Sequence, residues 1–166
     1  MKVSTRIRVL VLCSITLISL GAYAQADQLY GTWRLVSYNR QIIGTTEREE
    51  VFGKAPRGFL TYASDRRMSV LIVKENRSKP IDPAKPTEQE RAELHKSVIA
   101  YGGSFTVDGS RILHNVDISW NETWTDTIQP RNFRIEGRTL TLSTNPATSP
   151  VDGKQNIAVL TWEKVQ

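Results

Sequence analysis

Apolar and polar residues alternate in short runs along most of this chain, and each run is bounded by Gly, Asp, Asn or Pro. That period of two is the pattern of half-buried antiparallel strands. Eight strands are predicted: Thr32–Ile42, Gly58–Ala63, Met68–Lys74, Gly103–Asp108, Arg111–Ser119, Arg131–Gly137, Arg138–Thr144 and Asn156–Val165. The links "ASDRRM", "VDGSR" and "IEGRT" carry the residues that tight hairpins favour, so neighbours in sequence should pair in space. The expected class is all-β, an eight-stranded antiparallel up-and-down barrel, since closure removes exposed edges and leaves room inside for one small ligand.

One segment breaks the alternation. "KPIDPAKPTEQERAELHKSVIAYGG" opens with a proline-rich linker and continues with Thr87 and, three residues on, Glu90, the signature of a capping box. An inserted helix is predicted near residues 87–100, with Leu94, Val98 and Tyr101 on one face, placed to cover an open end of the barrel.

The first residues carry three cations, Lys2, Arg6 and Arg8, and no acid; an apolar run and Ala22-Tyr23-Ala24 follow. The run falls short of the roughly 20 apolar residues that span a bilayer. Residues 1–24 read as a cleaved signal peptide and residues 25–166 as the folded domain, which is therefore expected to be secreted or periplasmic, without stable membrane insertion, and monomeric. The formal net charge is +5, and losing those three cations leaves +2, an ordinary solubility charge with no basic stretch for nucleic acid. Cys13, the single cysteine, would leave with the signal, so no disulfide or thiol chemistry is expected. Asn76 and Asn121 open glycosylation triplets that matter only in a eukaryotic source.

The segments "GTWRLVSY", "PRGFLTYASDRRMSV", "AYGGSFTVDG", "ILHNVDISWNETW", "NFRIEGRTLTLST" and "LTWEKV" together resemble the small lipocalin-like domain proteins of bacteria and fungi, in the calycin superfamily. The resemblance covers essentially all of residues 25–166. It implies that Trp33 closes the narrow end of the barrel, with Gly31 letting the chain turn sharply before it. It also implies a small hydrophobic or amphipathic ligand inside. The chain departs from the family pattern at its second turn, where the usual Asp-Gly is Asp65-Arg66.

Six residues are candidate ligand contacts. His114 shares a strand face with Ile112, Val116 and Ile118, either as a core histidine satisfied by a neighbour or as a group that orients a ligand. Arg131 alternates with Phe133 and Ile135 and needs a carboxylate, from an acidic ligand or from Asp117, Glu122 or Asp126. Tyr62, Tyr101, Trp120 and Trp124 would supply aromatic walls. Two histidines without matching spacing do not make a metal site, and no cofactor, phosphate-loop or hydrolase motif occurs. Small-molecule binding is the expected function. An isomerase or cyclase using His114 and Tyr101, and an interaction module for another envelope protein, are the alternatives.

Overall fold

The computed structural model describes residues 27–148 and 153–165, so the predicted signal peptide lies outside the described residues. Ten strands form one sheet: β1 (Gly31–Ile42), β2 (Arg48–Glu49), β3 (Arg57–Tyr62), β4 (Arg67–Val73), β5 (Val98–Asp108), β6 (Arg111–Ser119), β7 (Thr127–Glu136), β8 (Thr139–Ser143), β9 (Ala147–Thr148) and β10 (Gln155–Lys164). Eight of them, all but the two-residue β2 and β9, run antiparallel in sequence order, and β1 pairs with β10 to close the barrel. The expected architecture is the one observed.

Alternation builds the core. From β1, β3, β4, β6, β8 and β10 respectively, Trp33, Leu60, Ile72, Ile112, Leu140 and Trp162 point inward and are buried. Two bulges then change which residues face in. Leu35 pairs with Trp162 and Ser37 with Thr161, so Val36 is an extra residue that turns outward, and Tyr38 rather than Ser37 or Asn39 returns to the interior. In β6 the extra residue is Asp117, because Gly103 pairs with Val116 and Gly102 with Ile118. Ile118 was expected inside with His114, but beyond this bulge it is 68% exposed. Gly103 is what permits the bulge, since a Cβ there would stand 1.9 Å from the Asn115 carbonyl oxygen.

The capping box forms as expected. The Thr87 hydroxyl accepts from the Glu90 amide, and the Glu90 carboxylate accepts from the Thr87 amide. Helix α1 (Glu88–Lys96) nevertheless ends sooner than predicted, at Ser97, and Val98, Ile99 and Tyr101 belong to β5. The β-branched pair and the tyrosine find partners on β4, Val73, Ile72 and Val70, and pairing with a closed sheet outweighs extending a mostly polar helix. Strand β7 likewise begins four residues before its predicted start at Arg131.

At the second turn, Arg66 takes the left-handed conformation with φ 66, and the Asp65 carboxylate accepts from the Arg67 amide. A side chain in that conformation costs about 1–2 kcal/mol. Arg66→Gly should therefore raise the unfolding free energy by about 0.5–1 kcal/mol after allowing for the greater freedom of glycine in the unfolded chain. Equilibrium denaturation checks this, and a decrease would mean that the arginine side chain contributes a contact that outweighs the strain.

Candidate functional site

One end of the barrel is plugged. Gly31, at φ 120, sets the chain in a conformation that side chains rarely adopt, and Trp33 follows with its indole nitrogen donating to the Leu29 carbonyl at 2.8 Å. Lys164 crosses the same end, its ammonium 4.9 Å from the Trp33 ring centroid and donating to the Gln28 carbonyl at 2.9 Å. Trp33 is 1% exposed and stands apart from the cavity described next.

Toward the other end the barrel holds a cavity of about 60 Å³. Val70, Ile72, Ile99, Leu142 and Leu160 form its aliphatic walls, and Tyr38, Tyr101, Trp124, Arg131 and Trp162 bring the aromatic and polar groups. Trp124 stands on a short 3-10 turn, Glu122–Trp124, which the Asn121 side chain caps. Its ring meets Tyr101 edge-on at 5.5 Å and Trp120 edge-on at 5.0 Å. Helix α1 contributes nothing to the cavity wall. It touches this rim through His95, whose Nε2 lies 3.2 Å from the Trp120 carbonyl oxygen.

The six expected site residues thus form one connected group, of which Tyr101, Trp124 and Arg131 line the cavity. Tyr62 and His114 lie one layer behind the cavity, both wholly buried. The Tyr62 hydroxyl is 2.7 Å from His114 Nε2, and the Tyr101 hydroxyl is 3.0 Å from His114 Nδ1. Trp120 reaches the group only through Trp124. Sequence reasoning did not single out Tyr38, because uninterrupted alternation from Trp33 points it outward. It saw Trp162 only as part of the closing strand.

The hydrogen-bond chain has a preferred direction. Burial, and next the charge of Arg131, lower the pKa of His114 to about 3, so the imidazole is neutral and carries one proton. Tyr62 has no exposure and finds its hydroxyl partner in His114, so its proton is satisfied only by donating to Nε2. Nδ1 then holds the imidazole proton and donates it to the Tyr101 oxygen. Burial raises the Tyr101 pKa, while the nearby Arg131 guanidinium opposes the rise, chiefly through its charge. With its oxygen accepting from His114, Tyr101 keeps its own proton to donate into the cavity that it lines.

Arg131 is 8% exposed, and its Nη1 donates to the Pro130 carbonyl at 2.8 Å. The guanidinium also lies 5.8 Å from the Trp124 ring centroid. None of the three acids considered for it is its partner. Asp117 pairs with Arg67 at 2.5 Å, Glu122 accepts from the Thr125 hydroxyl, and Asp126 is exposed. Among the described residues, no carboxylate lies within ion-pair distance of Arg131.

The depressed pKa of His114 predicts acid sensitivity. Below pH 6.5 the unfolded chain takes up a proton that the folded chain refuses until about pH 3, so stability is lost progressively as the pH falls through that window. Between pH 7 and pH 5 this histidine should remove about 2 kcal/mol of unfolding free energy. Denaturant titrations at the two pH values measure it, with His114→Gln expected to flatten the profile. A native profile as flat as the variant's would contradict the burial of a neutral imidazole.

A closed eight-stranded meander with one plugged end and an internal cavity is a calycin barrel, an architecture suited to holding a small ligand inside. The chain belongs to the lipocalin-like domain family, whose profile matches residues 30–165. It is 33% identical over 88 residues, 48% of this chain and 78% of the relative, to the 4'-hydroxy-3'-methoxypropiophenone carrier protein ppsC of Aspergillus oryzae. A crystal structure of an uncharacterized protein from Bacteroides eggerthii covers 82% of this chain and 99% of its own length at 14% identity, with a TM-score of 0.39. Family and relative support small-molecule binding in general.

Proposed function

We propose that the protein is a carrier for a small amphipathic aromatic molecule bearing an acidic or phenolic oxygen, exported by its N-terminal segment and working as a secreted or periplasmic monomer. The observation that carries this reading is Arg131, a buried cation beside a cavity with no carboxylate among the described residues to balance it. Burying an unpaired charge is costly, and an anionic or phenolic oxygen would offset that cost by accepting from the guanidinium and from the Tyr101 hydroxyl together. The fungal relative is named for 4'-hydroxy-3'-methoxypropiophenone, which carries a phenolic hydroxyl on an aromatic ring. The export reading rests on residues 1–24 alone, and a mature protein that stays inside the cell and still begins well before Gln25 would overturn it.

The cavity is well below the roughly 150 Å³ that holds benzene in an engineered protein core. Binding would therefore place the polar head against Arg131 and displace Trp124, and with it Trp120, from the rim to admit the ring. Acid/base catalysis is the weaker reading. His114 stands behind Tyr101 instead of facing the cavity, and a pKa of about 3 makes it a poor base near neutrality.

Mass spectrometry of small molecules released from the purified, denatured protein tests the reading, together with thermal shifts by aromatic acids and phenols. A co-purified amphiphile of that class, or a rise in melting temperature with such compounds, is expected. A protein that releases nothing and is stabilised by none of them would remove the basis for the proposal.

A further inference from the structure

Trp162 is 1% exposed, lines the cavity, and its indole Nε1 is the one buried side-chain polar atom among the described residues with no hydrogen-bond partner. Trp33, the other fully buried indole, has its carbonyl acceptor, so a missing partner is not a general feature of this core. A buried donor left unmade costs about 1–3 kcal/mol and calls for an explanation. The pairing register shows where it stands. Trp162 is level with Leu140, and Leu140 with Ile135, which puts Trp162 four residues along β7 from Arg131. At about 3.3 Å per residue this is a second depth in the barrel, roughly 13 Å from Arg131 along the strand direction before side chains reach inward.

We propose that the Trp162 indole N–H is the specificity donor for a second oxygen of the ligand, an uncharged carbonyl carried deeper in the barrel than the acidic or phenolic head at Arg131. The ligand class is then a phenol or acid with a carbonyl on its other side, such as a hydroxyaryl ketone. Walls of Val70, Ile72 and Leu142 offer that carbonyl no competing hydrogen-bond donor from their side chains. A ligand lacking the carbonyl would leave the indole as unsatisfied as it is in the empty barrel, which is how a site built to hydrogen-bond one oxygen discriminates against its absence.

This inference rests on the carrier reading above, and the test separates the two. The probes are 4'-hydroxypropiophenone and 4-propylphenol, which share the ring, the phenol and a three-carbon tail and differ in the ketone oxygen. Both are titrated calorimetrically against the full-length protein and Trp162→Phe, which keeps an aromatic ring and removes the N–H. The variant should bind the ketone about 5- to 10-fold more weakly, the range for one hydrogen bond, and the alkylphenol within about twofold of the native affinity. In the native protein, whether or not the variant folds, the assigned Trp162 indole proton should move downfield in the NMR spectrum with the ketone and not with the alkylphenol. If both probes bind but the variant loses equally for each, or the indole resonance fails to distinguish them, Trp162 is wall only and the carrier reading stands. If neither probe binds the native protein, this inference falls, and the carrier reading falls with it only if aromatic acids also fail to stabilise the protein.

Discussion

Trp33→Ala is expected to lower the unfolding free energy by about 3–5 kcal/mol, the range for truncating a buried aromatic to alanine. The side chain is wholly inside, so the loss includes its apolar burial, the cavity left at the floor and the bond from its indole to the Leu29 carbonyl. Lys164 would lose the ring beneath its ammonium as well. In a domain of this size the melting temperature should fall by roughly 10–15 °C. Ligand affinity of the fraction that remains folded should change little, because Trp33 does not line the cavity. The decisive comparison sets calorimetric unfolding beside ligand titration on the same variant. Unchanged stability with lost binding would move Trp33 from the floor of the barrel into the site.

The second large effect concerns Arg131. Arg131→Met should weaken an acidic amphiphile by about 2–5 kcal/mol, the range for removing one partner of a buried charged pair, which is roughly 30-fold to several thousandfold. A neutral analogue should lose much less. Without ligand, the variant should be as stable as the native protein or more so, because a buried cation with no carboxylate partner among the described residues is replaced by an apolar side chain of similar length. The charge of Arg131 also contributes to the lowered pKa of His114, so in Arg131→Met the histidine should titrate at higher pH and acid sensitivity should shrink. Isothermal titration of the acidic and neutral ligands against both proteins, with unfolding measured at pH 7 and pH 5, reads all three effects. Equal losses for the two ligands would return Arg131 to a structural role.

Strand existence was legible because period-two alternation is a local signal, and it placed Ile112, His114 and Val116 on one buried face as observed. The same signal fails one residue past a bulge. Val36 and Asp117 each add a residue that alternation does not anticipate, which sends Ile118 outward and brings Tyr38 in. The end of helix α1 was misplaced for a related reason. Its last predicted turn is equally good as strand, and only the pairing of Val98 to Tyr101 with β4 decides between them.

By itself the sequence determined the barrel class, the capping box that starts the helix, the unusual second turn, and the presence of His114 and Arg131 on inward faces. Those features depend on residues near one another in the chain or on a strand's own period. Tertiary structure alone decided that Asp117 is committed to Arg67, that Tyr62 and Tyr101 clasp the two nitrogens of His114, and that Trp162 is left without an acceptor. Each of these depends on distances between side chains from strands far apart in sequence. Whether a buried polar group is satisfied is fixed by such distances to within a few tenths of an ångström, which no pattern along a single strand contains.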